Sequence, residues 1–230
     1  MAFPDLEILP PEQRRLWREL GQVPREFVLY GGTALALRLG HRRSEDFDFF
    51  SASGFSPSEL EARLPLLRGA TRIQSSPNTL TCVVRNPGPV RFSFFGGLGL
   101  RRLEDPDWVD PPGVWVASLV DLAATKLKTV QDRAEAKDYR DIDALLAAGL
   151  PLRDALAAAA AAWGSGFNPL LSLKALSFFG DGDLPELPDE TRRRLLAAVR
   201  ETEVSALAER RPLPGGLTPD GPPGTERTDG

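Results

Sequence analysis

The chain has 230 residues, enough for one sizeable core or for one domain with a helical extension. At 42% hydrophobic and 26% charged it reads as globular, and no apolar run approaches the roughly 18 residues that span a bilayer. A net charge of −4 and a pI near 5.2 exclude a protein that coats nucleic acid through bulk charge, though Arg42/Arg43, Arg101/Arg102 or Arg192–Arg194 could form a local basic patch.

In chain order, Pro11–Leu20 has the spacing of a short amphipathic helix, with Leu16 and Leu20 one turn apart. Phe27–Tyr30 reads as a first core strand, Thr33–Leu39 as a helix and Asp46–Phe50 as a second strand. Ser56–Leu67 is predicted helical, with Ser56 or Ser58 as N-cap and Glu59 in the first turn. Thr71–Gln74, Leu80–Arg85 and Val90–Phe95 follow as strands, broken by Asn78 and by Asn86-Pro-Gly-Pro89. Val114–Val116 is one more short strand. From Ser118 the period becomes helical: Ser118–Thr129, Lys137–Ala147, Leu152–Trp163, Pro169–Phe179 and Glu190–Glu209. The tail from Arg211 to Gly230 is dense in Pro and Gly, and its composition predicts disorder. The predicted fold class is α/β (α+β), a mixed-sheet core over 1–115 followed by a helical region over 116–210 and the tail over 211–230.

Cys82 is the only cysteine, which excludes an intrachain disulfide and fits a reducing, cytoplasmic compartment. The first residues show no basic segment followed by an apolar one, so no secretory signal is expected. With one Cys and one His, a zinc site of the usual ligands is not expected, and any metal should be held by carboxylates.

The richest stretch runs from Tyr30 to Phe50. Gly31 and Gly32 lack a Cβ, so the backbone can turn sharply and approach phosphate oxygens. Thr33 adds a hydroxyl where a helix begins, and a helix N-terminus presents N–H groups to an anion. Asp46 and Asp48 alternate along a strand, so both carboxylates share one face and suit Mg²⁺ or Mn²⁺ with a nucleotide triphosphate. His41 and Arg42 sit in the loop between, in Gly40-His-Arg-Arg-Ser44; His41 is read equally as a phosphate contact or as a residue orienting that loop. Ser44 reads as a turn hydroxyl and Cys82 as core packing.

This stretch, Gly-Gly-Thr, then Gly-His-Arg-x-Ser, then Asp-x-Asp-Phe-Phe, resembles the nucleotidyltransferase superfamily and, within it, the AbiEii/AbiGii toxin family. A second segment carries the same resemblance: Leu122-x-x-x-Lys126, then Arg133-x-x-x-Lys137-Asp138-x-x-Asp141. Only four lysines occur against 24 arginines, and three of the four fall between 126 and 137. A compact ammonium reaches a phosphate as a point charge, unlike the planar guanidinium fork, although a chance cluster on an exposed helix is the alternative. The resemblance implies Lys126 at the triphosphate with Arg133 and Lys137 near it, Asp138 closing the site as a base toward the acceptor, and Asp141 beside it. Asp138 and Asp141 also fit a plain helix-start cluster.

Nucleotidyltransferases commonly carry a third carboxylate on a later strand, and here Ser93 of Val90-Arg-Phe-Ser-Phe-Phe95 stands in its place. Three readings remain open: Glu104 or Asp105 supplies the charge, two carboxylates act with Asp138, or the chain binds nucleotide with little turnover. The resemblance implies a toxin that moves a nucleoside monophosphate from an NTP to an RNA or tRNA hydroxyl and is paired with an antitoxin. A small-molecule nucleotidyltransferase and a non-catalytic nucleotide-binding protein are the alternatives.

Overall fold

The computed structural model describes residues 3–86 and 88–219. One mixed sheet organises them. Its strands are β1 (Val28–Tyr30), β2 (Asp46–Phe50), β3 (Thr71–Ser76), β4 (Thr79–Val84), β5 (Val90–Phe95), β6 (Asp107–Val109) and β7 (Val114–Val116). They lie in the order β3-β4-β5-β2-β1-β7-β6. The predicted strands are present at nearly the expected bounds; β6, three residues among acidic and proline neighbours, gave no alternation to read.

β2 and β5 run parallel in the register Asp46↔Arg91, Asp48↔Ser93 and Phe50↔Phe95. Side chains alternate across a strand, so this register sorts the pair into two faces. Phe47, Phe49, Phe92 and Phe94 are fully buried on one, with Phe49 stacked on Phe94 at 5.3 Å between ring centroids. The charged and hydroxyl residues lie on the other.

Helix α1 (Pro11–Trp17) is followed by α2 (Gly31–Leu39), α3 (Pro57–Arg63), α4 (Leu119–Asp132), α5 (Ala136–Ala147), α6 (Leu152–Trp163), α7 (Pro169–Ala175) and α8 (Asp189–Arg200). α2 ends at Gly40, whose left-handed φ of 60° is the usual glycine stop. α4 starts at Ser118, which accepts from the Asp121 amide at 3.0 Å while donating to the Asp121 carboxylate at 2.7 Å. α2 packs on β1 and β2, and α4 packs on α2. Cys82 is buried among the apolar residues, and one continuous cluster runs from Leu9 to Leu217.

Two expectations shift at the C-terminal end. The helix expected over 190–209 stops at Arg200, where Glu201 and Thr202 give way to a short 3₁₀ turn at Val204–Ala206. Within 211–219 the chain is anchored at Leu213 and Leu217, although its composition predicts almost nothing to bury. Leu217 is 2% exposed, and Arg102 Nη1 donates to the carbonyls of Gly216 and Thr218 at 2.7 and 2.8 Å. The buried guanidinium supplies the partners that a proline- and glycine-rich segment lacks by itself. The remainder of the expected disordered tail, 220–230, lies outside the described residues.

Candidate active site

The polar face of β2 opens onto a cleft of about 1020 Å³. Eight of the twelve residues singled out from sequence line it: Gly31, Gly32, Arg42, Asp46, Asp48, Lys126, Arg133 and Lys137. Gly31 has φ of +71°, and a Cβ there would come within 3.1 Å of the Asp48 Cβ and overlap its carboxylate. The turn into α2 therefore has to be glycine so that backbone N–H groups and the Asp48 carboxylate can share one space.

Four expected ligands sit behind the cleft wall instead. Thr33 is fully buried, donating its hydroxyl to the Asp46 carbonyl and accepting from Gln13 Nε2 at 3.1 Å. It ties α2 to β2, so the hydroxyl expected to meet phosphate is engaged within the cleft wall. Asp138 and Asp141 have no exposed surface, and the cations around them explain why that is tolerable. Lys126 Nζ lies 2.7 Å from Asp138 and 2.6 Å from Asp141. Arg133 donates to both Asp138 oxygens at 2.8 and 3.2 Å, and Arg42 makes a two-pronged contact with Asp141 at 2.6 and 2.8 Å. His41 Nε2 stands 2.7 Å from Asp141, so the reading of His41 as a loop-orienting residue fits the geometry better than the phosphate contact.

Burial alone would raise both aspartates, yet Lys126 and Arg133 hold the Asp138 carboxyl below the usual range, and His41, Lys126 and Arg42 hold Asp141 well below it. A carboxylate engaged by two cations and made less basic is poorly suited to take a proton from an acceptor, the role expected of Asp138. Its geometry is that of a support for Lys126 and Arg133.

Asp48 is shifted the other way. Burial and the neighbouring Asp46 push its carboxyl up, opposed by Lys126, Arg91 and a hydrogen bond from Ser93. Ser93 occupies the place across from Asp48 that the strand pattern indicated. Glu104 and Asp105 are not alternatives to it: they pair with Arg210 and Arg102, away from the cleft. Among the described residues no group of three or more His, Cys, Asp or Glu could hold a metal. What Asp46 and Asp48 fit is an ion content with two protein carboxylates, the remaining positions going to water and phosphate oxygens, as Mg²⁺ accepts.

Sequence reasoning missed Arg91, which pairs with Asp46, and Thr81, Ile73 and Gln74, which also line the cleft. Arg91 lies two residues before Ser93, so strand alternation alone could have found it. Of the three arginine runs considered, only Arg42/Arg43 reaches the cleft; Arg101 and Arg102 bond backbone carbonyls and Arg194 pairs with Asp143. Six cations and three acids line a cleft in a chain of net charge −4, so the protein concentrates positive charge where a polyanion would enter.

Carboxylates on a strand thus face cations on helices with a glycine turn between, and this chain is an enzyme of the nucleotidyltransferase class. More narrowly, the family described as "Nucleotidyl transferase AbiEii toxin, Type IV TA system" matches residues 15–210, and the chain belongs to it. It is thus a nucleotidyltransferase of a toxin family. A 119-residue stretch is 32% identical to an uncharacterized protein of Aquifex aeolicus, covering 51% of this chain and only 56% of that protein. Among solved structures, the nucleotidyltransferase toxin MenT4 of Mycobacterium tuberculosis superposes with a TM-score of 0.55 at 17% identity, over 84% of this chain and 83% of that one. A candidate nucleotidyltransferase from H. pylori gives a TM-score of 0.51 at 20% identity, over 82% of this chain and 90% of that one. At such identities the two structures speak for the fold.

Proposed function

We propose that this enzyme transfers a nucleoside monophosphate from an NTP to a hydroxyl of an RNA, tRNA being the first candidate, as the cytoplasmic toxin of a system with a cognate antitoxin. The observation that supports it most is the placement of Asp46 and Asp48 on one face of β2, opposite Lys126, Arg133 and Lys137 across one cleft. Asp46 and Asp48 would hold a divalent ion, Mg²⁺ or Mn²⁺, which when bound would supply positive charge to the triphosphate. Gly31 and Gly32 present backbone to the phosphates, and Lys126 and Arg133, held by Asp138 and Asp141, face the leaving pyrophosphate. The acceptor oxygen bonds to the α-phosphorus, the bond to the β-phosphate oxygen breaks, and the acceptor's proton passes to water in the open cleft.

The test is incubation of the protein with total tRNA, Mg²⁺ and each α-³²P-labelled NTP in turn, beside Asp48→Ala. Label on RNA from the wild type and none from the variant is the expected result. Label on no RNA would sink the RNA acceptor, and equal label from Asp48→Ala would sink the mechanism. Ser93 favours one second reading, a nucleotide-binding protein without turnover; tight Mg²⁺-dependent NTP binding with no pyrophosphate release would establish it.

A further inference from the structure

The cleft face of the sheet is ordered in rows. Across β2, β5, β4 and β3 one row reads Asp48, Ser93, Thr81, Gln74, from the pairings Asp48↔Ser93, Thr81↔Ser93 and Gln74↔Thr81. The row beside it reads Asp46, Arg91, Val83. In a regular strand Ile73 and Gln74 would point to opposite faces, yet both line the cleft. The cause is a register shift between Arg72 and Gln74 in β3, which makes Ile73 an extra residue and re-aims it. Ile73 is 61% exposed, an apolar side chain held out at the rim of a charged cleft beside a carboxamide.

In an in-line transfer the attacking and leaving oxygens lie on opposite sides of the α-phosphorus. On the reading above, pyrophosphate leaves toward Lys126 and Arg133 on the helical side. α2 packs on β1 and β2 and α4 packs on α2, whereas β5, β4 and β3 extend from β2 in the other direction. The attacking hydroxyl therefore approaches over the row Ser93, Thr81, Gln74.

Resting on that nucleotidyl-transfer reading, we infer that the β3 bulge is the subsite for the terminal nucleobase of the acceptor RNA. Ile73 packs against the base plane, Gln74 pairs with its polar edge through one donor and one acceptor, and the Thr81 hydroxyl meets the ribose. Gln74, at the rim, sets which terminal base is preferred.

The experiment uses four RNA oligonucleotides differing only in the 3′-terminal base, with the labelled NTP, the full chain, and the variants Ile73→Ser and Gln74→Ala. Both positions are exposed, so melting temperatures should match the wild type. The wild type should prefer one terminal base; Gln74→Ala should erase that preference, and Ile73→Ser should raise the acceptor KM about tenfold, the scale of one lost base contact, with the NTP KM unchanged. Absence of a preference in the wild type, unchanged acceptor kinetics in both variants, or an NTP KM rising in step would each overturn the subsite while leaving RNA transfer intact. No label on any RNA from the wild type would instead sink the RNA reading, and the subsite with it.

Discussion

Asp48 of β2 stands directly across from Ser93 of β5, and the serine hydroxyl opposes the upward push that burial and Asp46 give the Asp48 carboxyl. A neutral donor beside a carboxylate steadies its charge without competing for a cation. On that face the strand pair β2–β5 therefore carries two carboxylates, Asp46 and Asp48, with a hydroxyl across from the second.

That arrangement carries a stability cost that metal should relieve. The folded pKa of Asp48 lies above its unfolded value, so the folded state holds the extra proton and stability falls as pH rises through the interval between the two. Above that interval the charged, half-buried carboxylate is a burden. Asp48→Asn should melt above the wild type in EDTA, and only the wild type should gain melting temperature from Mg²⁺ with NTP. Differential scanning calorimetry with and without metal checks both.

Lys126 is the centre of the buried charge cluster. Lys126→Met leaves Asp138 and Asp141 short of a cation and should cost about 3–5 kcal/mol, the usual penalty for breaking a buried pair. Adding Asp141→Asn should return part of that loss. Urea unfolding of the singles and the double gives the coupling.

The same cluster fixes the acid limit. Asp138 and Asp141 have folded pKa values below their unfolded ones, so their stabilisation is complete above the ordinary carboxylate range and is lost as pH falls from about 4 downward. Melting temperature against pH should drop steeply there in the wild type. In Asp138→Asn/Asp141→Asn the curve should start lower and be flatter over the same interval.

The two glycines should differ. At Gly31, a Cβ combines a positive φ with overlap of the Asp48 carboxylate, so Gly31→Ala should lose labelling and about 1–3 kcal/mol of stability. At Gly32 the Cβ meets the Arg42 guanidinium at 2.5 Å and Ser44 Oγ at 2.9 Å, and the arginine tip can move. Gly32→Ala should keep the fold and raise the NTP KM. Labelling assays paired with thermal melts separate the two.

Leu217 should matter despite its setting. Leu217→Ala removes a side chain that is 2% exposed and should cost about 2–5 kcal/mol. A loss no larger than that of Leu213→Ala, measured by urea unfolding, would show that the buried leucine does not anchor 211–219.

Much of the site could be read in one dimension because strand alternation is local: Asp46 and Asp48 share a face wherever β2 lies, and Gly31 needs a glycine's φ wherever the turn lies. Bounds such as Asp46–Phe50 and Val90–Phe95 follow from aromatic and β-branched runs that fit a pleated surface. Tertiary structure alone decided what faces what. Asp138 and Asp141 share a helical face by spacing, but only packing of α5 against α4 and the Arg42 loop turns that face toward cations. The β3 bulge exists only in the pairing with β4, and Arg102 reaches residues 216–218 across more than a hundred positions, which no window of local sequence could register.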